Sequence, residues 1–237
     1  MDTMKLNELK KELKEKTNLE KGKFLQRFFK TGKGEYAEGD KFIGIVVPEL
    51  RKLSKKYNDL SFPELRKLIT SKIHEERLVS LFVLIIQFEK GDNSAKEKIF
   101  KFYLEHLKGV NNWDLVDLSA PNIIGSFLIN KDKKLLYEFA KSNDLWKKRI
   151  SILSTFQFIR NNQFEDTLAI SKILLNDKHD LIHKGVGWML RETGKRNLKV
   201  EEDFLKPRYK NMPRTMLRYA IEKFPEKKRQ VYLKGKI

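Results

Sequence analysis

The chain contains no cysteine, which excludes disulfides, thiolate zinc sites and cysteine nucleophiles. Glycine and proline are scarce, at 12 and 6 residues, too few for an all-β protein that must turn its chain about every ten residues. Long apolar runs are missing as well. The longest, "LFVLIIQF" (81–88), falls far short of the roughly 20 residues that cross a bilayer. The opening stretch, "MDTMKLNELKKELKEKTN", is charged throughout and lacks the apolar segment of a signal peptide. A soluble, cytoplasmic protein is expected. No P-loop, GxGxxG or GxSxG motif occurs, and "HEERL" lacks the second histidine of HExxH. No helix-turn-helix, finger or basic-zipper pattern supports sequence-specific DNA reading. His179 and His183 have the i, i+4 spacing of a metal pair, but no nearby carboxylate set completes a site, so no metal is expected.

What is present is apolar and basic. Hydrophobic residues make up 40% of the chain, enough for a sizeable core and against global disorder. Fifty Lys and Arg against 32 Asp and Glu leave a net charge of +18. Such an excess carries self-repulsion and commonly faces a polyanion. DNA, RNA and an acidic membrane surface are the candidates; the alternative is a basic protein that is merely soluble. The excess persists to the end, with 11 basic against 5 acidic residues in 201–237.

Helical periodicity recurs throughout. The pattern predicts helices over 3–16, 21–30 and from Pro48 to about Tyr57. Ser61 with Glu64 has the spacing of a capping box. The segment from His74 is apolar on nearly all sides between Leu78 and Phe88 and should be buried, with Gly91 as its C-terminal stop. Further helices are expected at about 94–107, 111–118, 120–129, 132–141, 145–161, 164–175, 179–193, 200–210, 213–223 and 225–233. "TGKGEYAEGDKF" (31–42) reads as a loop, and "FIGIVV" (42–47) could be a lone strand, though nothing nearby offers it a partner. The helices fall in pairs of about 35–45 residues, the period of HEAT or armadillo repeats; a single helical bundle is the alternative. The expectation is one all-α domain over 1–237.

Two constellations carry chemistry. In "VNNWDLVDLSAPNIIG" (110–125), Trp113 and Asp117 lie four apart, on one helix face. Asp114 points elsewhere, near the N-terminus, where a carboxylate complements the helix dipole. The structural alternatives are a core tryptophan and a cap, with Asp117 or Ser119 starting a helix that carries Pro121. In "HKGVGWMLRETGKR" (183–196), Lys184, Trp188, Arg191 and Lys195 form one stripe, opposite Ile182, Val186, Met189 and Leu190. Gly185 and Gly187 weaken a helix by about 1 kcal/mol each, tolerable where a backbone or a ligand comes close. A helix with a snorkelling cationic face is the alternative. Trp146 precedes "KKR" ending in Arg149, groups that suit phosphates or simply solvent.

"NNWDLVDLSAP", "GWMLRETGK" and the upstream "RFFKTGKGEYAEGDKFIGIVVPELRKL" (27–53) together resemble the AlkD-like DNA alkylation repair glycosylases, over about residues 20–224. The resemblance implies a right-handed superhelical stack of antiparallel, HEAT-like helix pairs with a basic concave face toward duplex DNA. It implies excision of cationic N3- and N7-alkylated purines by a monomer, without metal, cofactor or obligate protein partner, the lesion staying in the duplex. Asp117 takes the place of the catalytic aspartate, and Trp113 and Trp188 those of the tryptophans flanking the lesion. Arg149 and Arg191 fall where the family approaches the DNA backbone, and Lys184 and Lys195 share that cationic stripe. Phe28 stands where some members carry a tyrosine, so a hydroxyl contact is lost while stacking survives. The remaining alternatives are a nucleic-acid-binding repeat protein without chemistry and a protein–protein scaffold.

Overall fold

Pairs of apolar positions at helical spacing dictate the architecture, and the computed structural model describes residues 2–237, with side chains from Met4 onward. The described residues are helical with no strand among them. They divide into two units, one up to Leu115 and one from Val116.

The first unit holds α1 (Asp2–Glu15), α2 (Leu19–Phe28), α3 (Val47–Lys56), α4 (Phe62–Ile69), α5 (His74–Lys90) and α6 (Asn93–Glu105). As its all-round apolar pattern requires, α5 is the buried hub: Leu78, Val79, Leu81, Val83 and Leu84 are almost fully enclosed, and α3, α4 and α6 pack on it. The spacing of Ser61 and Glu64 does its work, since the Glu64 carboxylate accepts from the Ser61 N–H and hydroxyl, both at 2.8 Å. Gly91 ends α5, but with φ −78° rather than in the left-handed region. A Cβ there would lie 2.8 Å from that of Ala95, so glycine is required for a close approach.

Residues 42–46 of "FIGIVV" form no strand: Gly44 turns through φ +84° and Val47 already opens α3. A single parallel bridge joins Lys41 to Ile73. Its backbone groups find partners elsewhere, as buried groups must. The buried Glu75 carboxylate accepts from the N–H groups of Ile43 (3.1 Å) and Gly44 (2.8 Å), and Asn18 N–H donates to the Ile43 carbonyl at 2.9 Å.

From Trp113 the chain forms one helix where two are expected. After α7 (Trp113–Ala120) comes a π-helical stretch, Pro121–Gly125, and then α8 (Ser126–Leu128). Asp117 and Ser119 are therefore inside a helix, not caps. Pro121 has no N–H to give the Asp117 carbonyl four residues back, and a widened π turn accommodates that loss without breaking the helix.

The second unit continues with α9 (Lys134–Ala140), α10 (Leu145–Arg160), α11 (Glu165–Ile173), α12 (Asp180–Arg196), α13 (Leu198–Leu205), α14 (Arg214–Ala220) and α15 (Glu226–Leu233). Its hub is α10, packed against α9, α11, α12 and the π stretch, while α12 packs on α13 and α14. Ile150, Leu153, Ile182, Val186, Met189 and Leu190 form the shared core, the last four on the apolar side predicted for α12. None of the described helices is long and apolar enough to cross a membrane.

Candidate active site

The helix from Trp113 carries the two residues the sequence singles out, one turn apart. Asn112 sits at its start and accepts from the Trp113 N–H at 2.8 Å. Asp114, in the first turn, accepts from the Leu115 N–H at 2.8 Å and complements the dipole as expected.

In the first unit, Trp113 ends a ladder of rings. Its half-buried indole stacks on Phe29 (5.1 Å between centroids, 16°), Phe29 on Phe42 (4.8 Å, 16°), and Phe42 on His74 (4.3 Å, 21°). Phe28, expected beside the substrate, meets both Phe29 and Trp113 edge-on, at 5.1 and 6.1 Å, and is 55% exposed. At the far end of the ladder, His74 Nε2 lies 2.8 Å from Asp114 Oδ2 and Nδ1 lies 3.6 Å from Asp40. Arg77 completes the cluster, donating to Asp40 at 2.6 Å. Burial works against a charged imidazole, but Asp114 and Asp40 outweigh it and hold the His74 pKa above its ordinary value. A cavity of about 240 Å³ opens beside this cluster, lined among others by Phe28, Phe42, Ile45, His74 and Asp114. Its apolar walls and buried ion cluster are not apparent from "HEERL", which reads as a polar helix start.

In the second unit, Asp117 meets Arg149 of α10. The contact is a bidentate fork: Arg149 Nε donates to Oδ1 at 2.8 Å and Nη2 to Oδ2 at 2.7 Å. The third arm, Nη1, donates to the Leu181 carbonyl. Both side chains are largely enclosed, with 13% of Asp117 and 5% of Arg149 exposed. Arg149 thus presents no free edge to a phosphate and instead fixes a carboxylate. Gly185 of α12 faces the same place: a Cβ there would meet Leu153 Cδ2 at 3.2 Å and Arg149 Nη1 at 3.4 Å.

The α12 stripe forms at the predicted spacing, but it is not a free cationic face. Lys184 pairs with Asp180 at 2.7 Å, and Lys195 with Glu192 at 2.7 Å. Arg191 reaches Glu222 and, at 3.4 Å, Glu192. The half-buried Trp188 donates from Nε1 to Glu192 at 3.1 Å and tilts against Phe156 at 5.9 Å. Trp146 is half-buried at the start of α10. The two spaced histidines serve the backbone: His179 caps α12 by accepting from Leu181 N–H at 3.1 Å, and His183 meets the Asp177 carbonyl. Among the described residues no group of three or more His, Asp or Glu could hold a metal ion.

Comparison with known proteins finds one matching family. The family model described as DNA alkylation repair enzyme matches residues 9–224. Among solved structures, a protein described as a predicted DNA alkylation repair enzyme from Enterococcus faecalis is similar in fold, with a TM-score of 0.69. The likeness covers 89% of this chain and 98% of that one, at 16% identity. Among curated proteins none matches.

Proposed function

The chain belongs to the DNA alkylation repair enzyme family, and from that premise we propose that it is a monofunctional glycosylase hydrolysing the N-glycosidic bond of cationic N3- and N7-alkylated purines in duplex DNA. The observation that carries this reading is the Asp117–Arg149 fork on the helix that also bears Trp113. An alkylated purine is already positively charged, so it leaves with the bonding electron pair as a neutral base and needs no strong general acid. Positive charge then develops at C1′ of the deoxyribose. A carboxylate there stabilises it and orients the water whose oxygen bonds to C1′, the released proton passing to the carboxylate or to solvent. The Arg149 fork holds both Asp117 oxygens in one fixed orientation for that task. In this reading Arg149 positions Asp117 rather than meeting phosphate.

Trp113 and Trp188 suit the cationic base, indole being the aromatic that best attracts a cation. Phe28 adds an apolar surface next to Trp113. Arg191, Lys184 and Lys195 are proposed to reach the DNA backbone by exchanging their carboxylate partners for phosphates. The proposal keeps the right-handed stack of helix pairs, and the action as a monomer without metal or cofactor, that the resemblance implies. A protein that only binds DNA has no use for a fixed carboxylate, which repels phosphate.

Asp117→Asn tests the assignment, because Asn retains an oxygen for Arg149 while losing the charge. Release of 7-methylguanine from methylated duplex, followed by chromatography, should fall about 10²–10³-fold, with duplex binding retained. Release at the wild-type rate rejects Asp117 as the catalytic group.

A further inference from the structure

Lys184, Arg191 and Lys195 of α12 are neutralised by their neighbours, whereas the cations of α2 and the loop after it are not. Residues 20–34 hold Lys21, Lys23, Arg27, Lys30 and Lys33 against one acid, Glu20. Among the described residues these five make no ion pair. The next acids, Glu35 and Glu38, are turned onto their own loop, accepting from the N–H groups of Gly32 (2.8 Å) and Gly34 (2.9 Å). Lys23, Arg27 and Thr31 line an open depression of about 450 Å³.

Phe24 and Phe28 stand among these charges on one face of α2. They are 59% and 55% exposed, and their rings are near-parallel, 15° apart with centroids at 6.3 Å. Edge contacts to Phe29 and Trp113 hold Phe28 in place, so little side-chain entropy remains to be lost on binding. Two large exposed rings beside unpaired cations fit a polyanion that carries planar apolar groups. In a duplex those planes are covered by their neighbours; in a single strand they are free to stack on aromatic side chains.

We propose that this face of α2 is a stacking platform for unpaired bases, giving the protein affinity for single-stranded DNA. The inference does not rest on the Asp117 chemistry, and measuring base release in parallel lets the two fail separately. Fluorescence anisotropy would compare a labelled thymidine 12-mer with an abasic 12-mer of equal charge. Phe24→Leu keeps an apolar, exposed residue but removes the ring. It should weaken binding to the thymidine strand about tenfold, leave binding to the abasic strand unchanged, and leave base release from alkylated duplex at the wild-type rate. Lys23→Gln with Arg27→Gln should weaken both strands. Equal binding of the thymidine strand by wild type and Phe24→Leu overturns the proposal, as does an equal loss on both strands. Loss of binding to phosphatidylserine vesicles with thymidine binding intact would instead make the face a lipid contact and also overturn it.

Discussion

His74 is 2% exposed, with Asp114 on one ring nitrogen, Asp40 near the other and the Phe42 ring against its face. Burial opposes the charge, Arg77 opposes it too, and the two carboxylates prevail, raising the pKa above 6.5. In the folded chain the imidazole therefore keeps its proton at pH values where the unfolded chain releases it. The stabilisation is complete below the unfolded pKa and is lost as pH rises through the folded one. Asp40 behaves oppositely. Burial pushes its pKa up, but His74 and Arg77 hold it below 3.8, so its contribution is present above that value and lost as pH falls through the folded one. The cluster is thus intact between acid pH and the raised His74 pKa. Urea unfolding of the wild type should show stability declining as pH rises above 6.5 and through the raised His74 pKa. His74→Gln should lower stability by about 1–3 kcal/mol and flatten that decline. A variant as steep as the wild type would mean that His74 is neutral in the fold.

Helix packing explains the glycines better than flexibility does. A Cβ on Gly187 would lie 2.5 Å from the Met216 carbonyl oxygen and from Tyr219 Cβ, and one on Gly125 would lie 2.3 Å from the Ser154 carbonyl oxygen. These contacts set how closely α14 meets α12 and how closely the π stretch meets α10. Gly187→Ala gains about 1 kcal/mol of helix propensity but must push a backbone away, an overpacking cost of about 1–3 kcal/mol. Net destabilisation in thermal unfolding is expected, and a raised melting temperature would show that α14 gives way freely. The sequence anticipates a close backbone at "GVG", and its amphipathic spacing places nearly every helix. It misses the continuity through Pro121, because a proline reads as a stop when a π turn is not considered. The Trp113 and Asp117 pairing on one helix is visible from spacing alone. Their surroundings are not, since Arg149, 32 residues from Asp117, and the Phe29–Phe42–His74 ladder come together only by tertiary packing.

Charge over the whole molecule follows the same logic. The net +18 says that a polyanion is favoured, not where it sits, and helical spacing alone picks out α12. Its stripe forms, but Asp180, Glu192 and Glu222 occupy its cations, while those of α2 make no ion pair among the described residues. Two kinds of basic surface therefore differ in what binding costs them. The α2 cations meet a phosphate directly, whereas Arg191 must first leave Glu222, an exchange that uncovers a carboxylate beside the incoming phosphate. Removing that competitor should favour DNA. Glu222→Gln is expected to tighten binding to undamaged duplex and steepen the salt dependence, by up to about 0.9 in the slope of log K against log salt for one phosphate contact. Arg191→Ala should do the reverse, weakening binding and leaving Glu222 with Lys223 as its remaining cation. Anisotropy titrations at several salt concentrations measure both. If Glu222→Gln leaves affinity and slope unchanged while Arg191→Ala only lowers stability, the pair is a structural tie between α12 and the segment after α14, and Arg191 stays off the DNA.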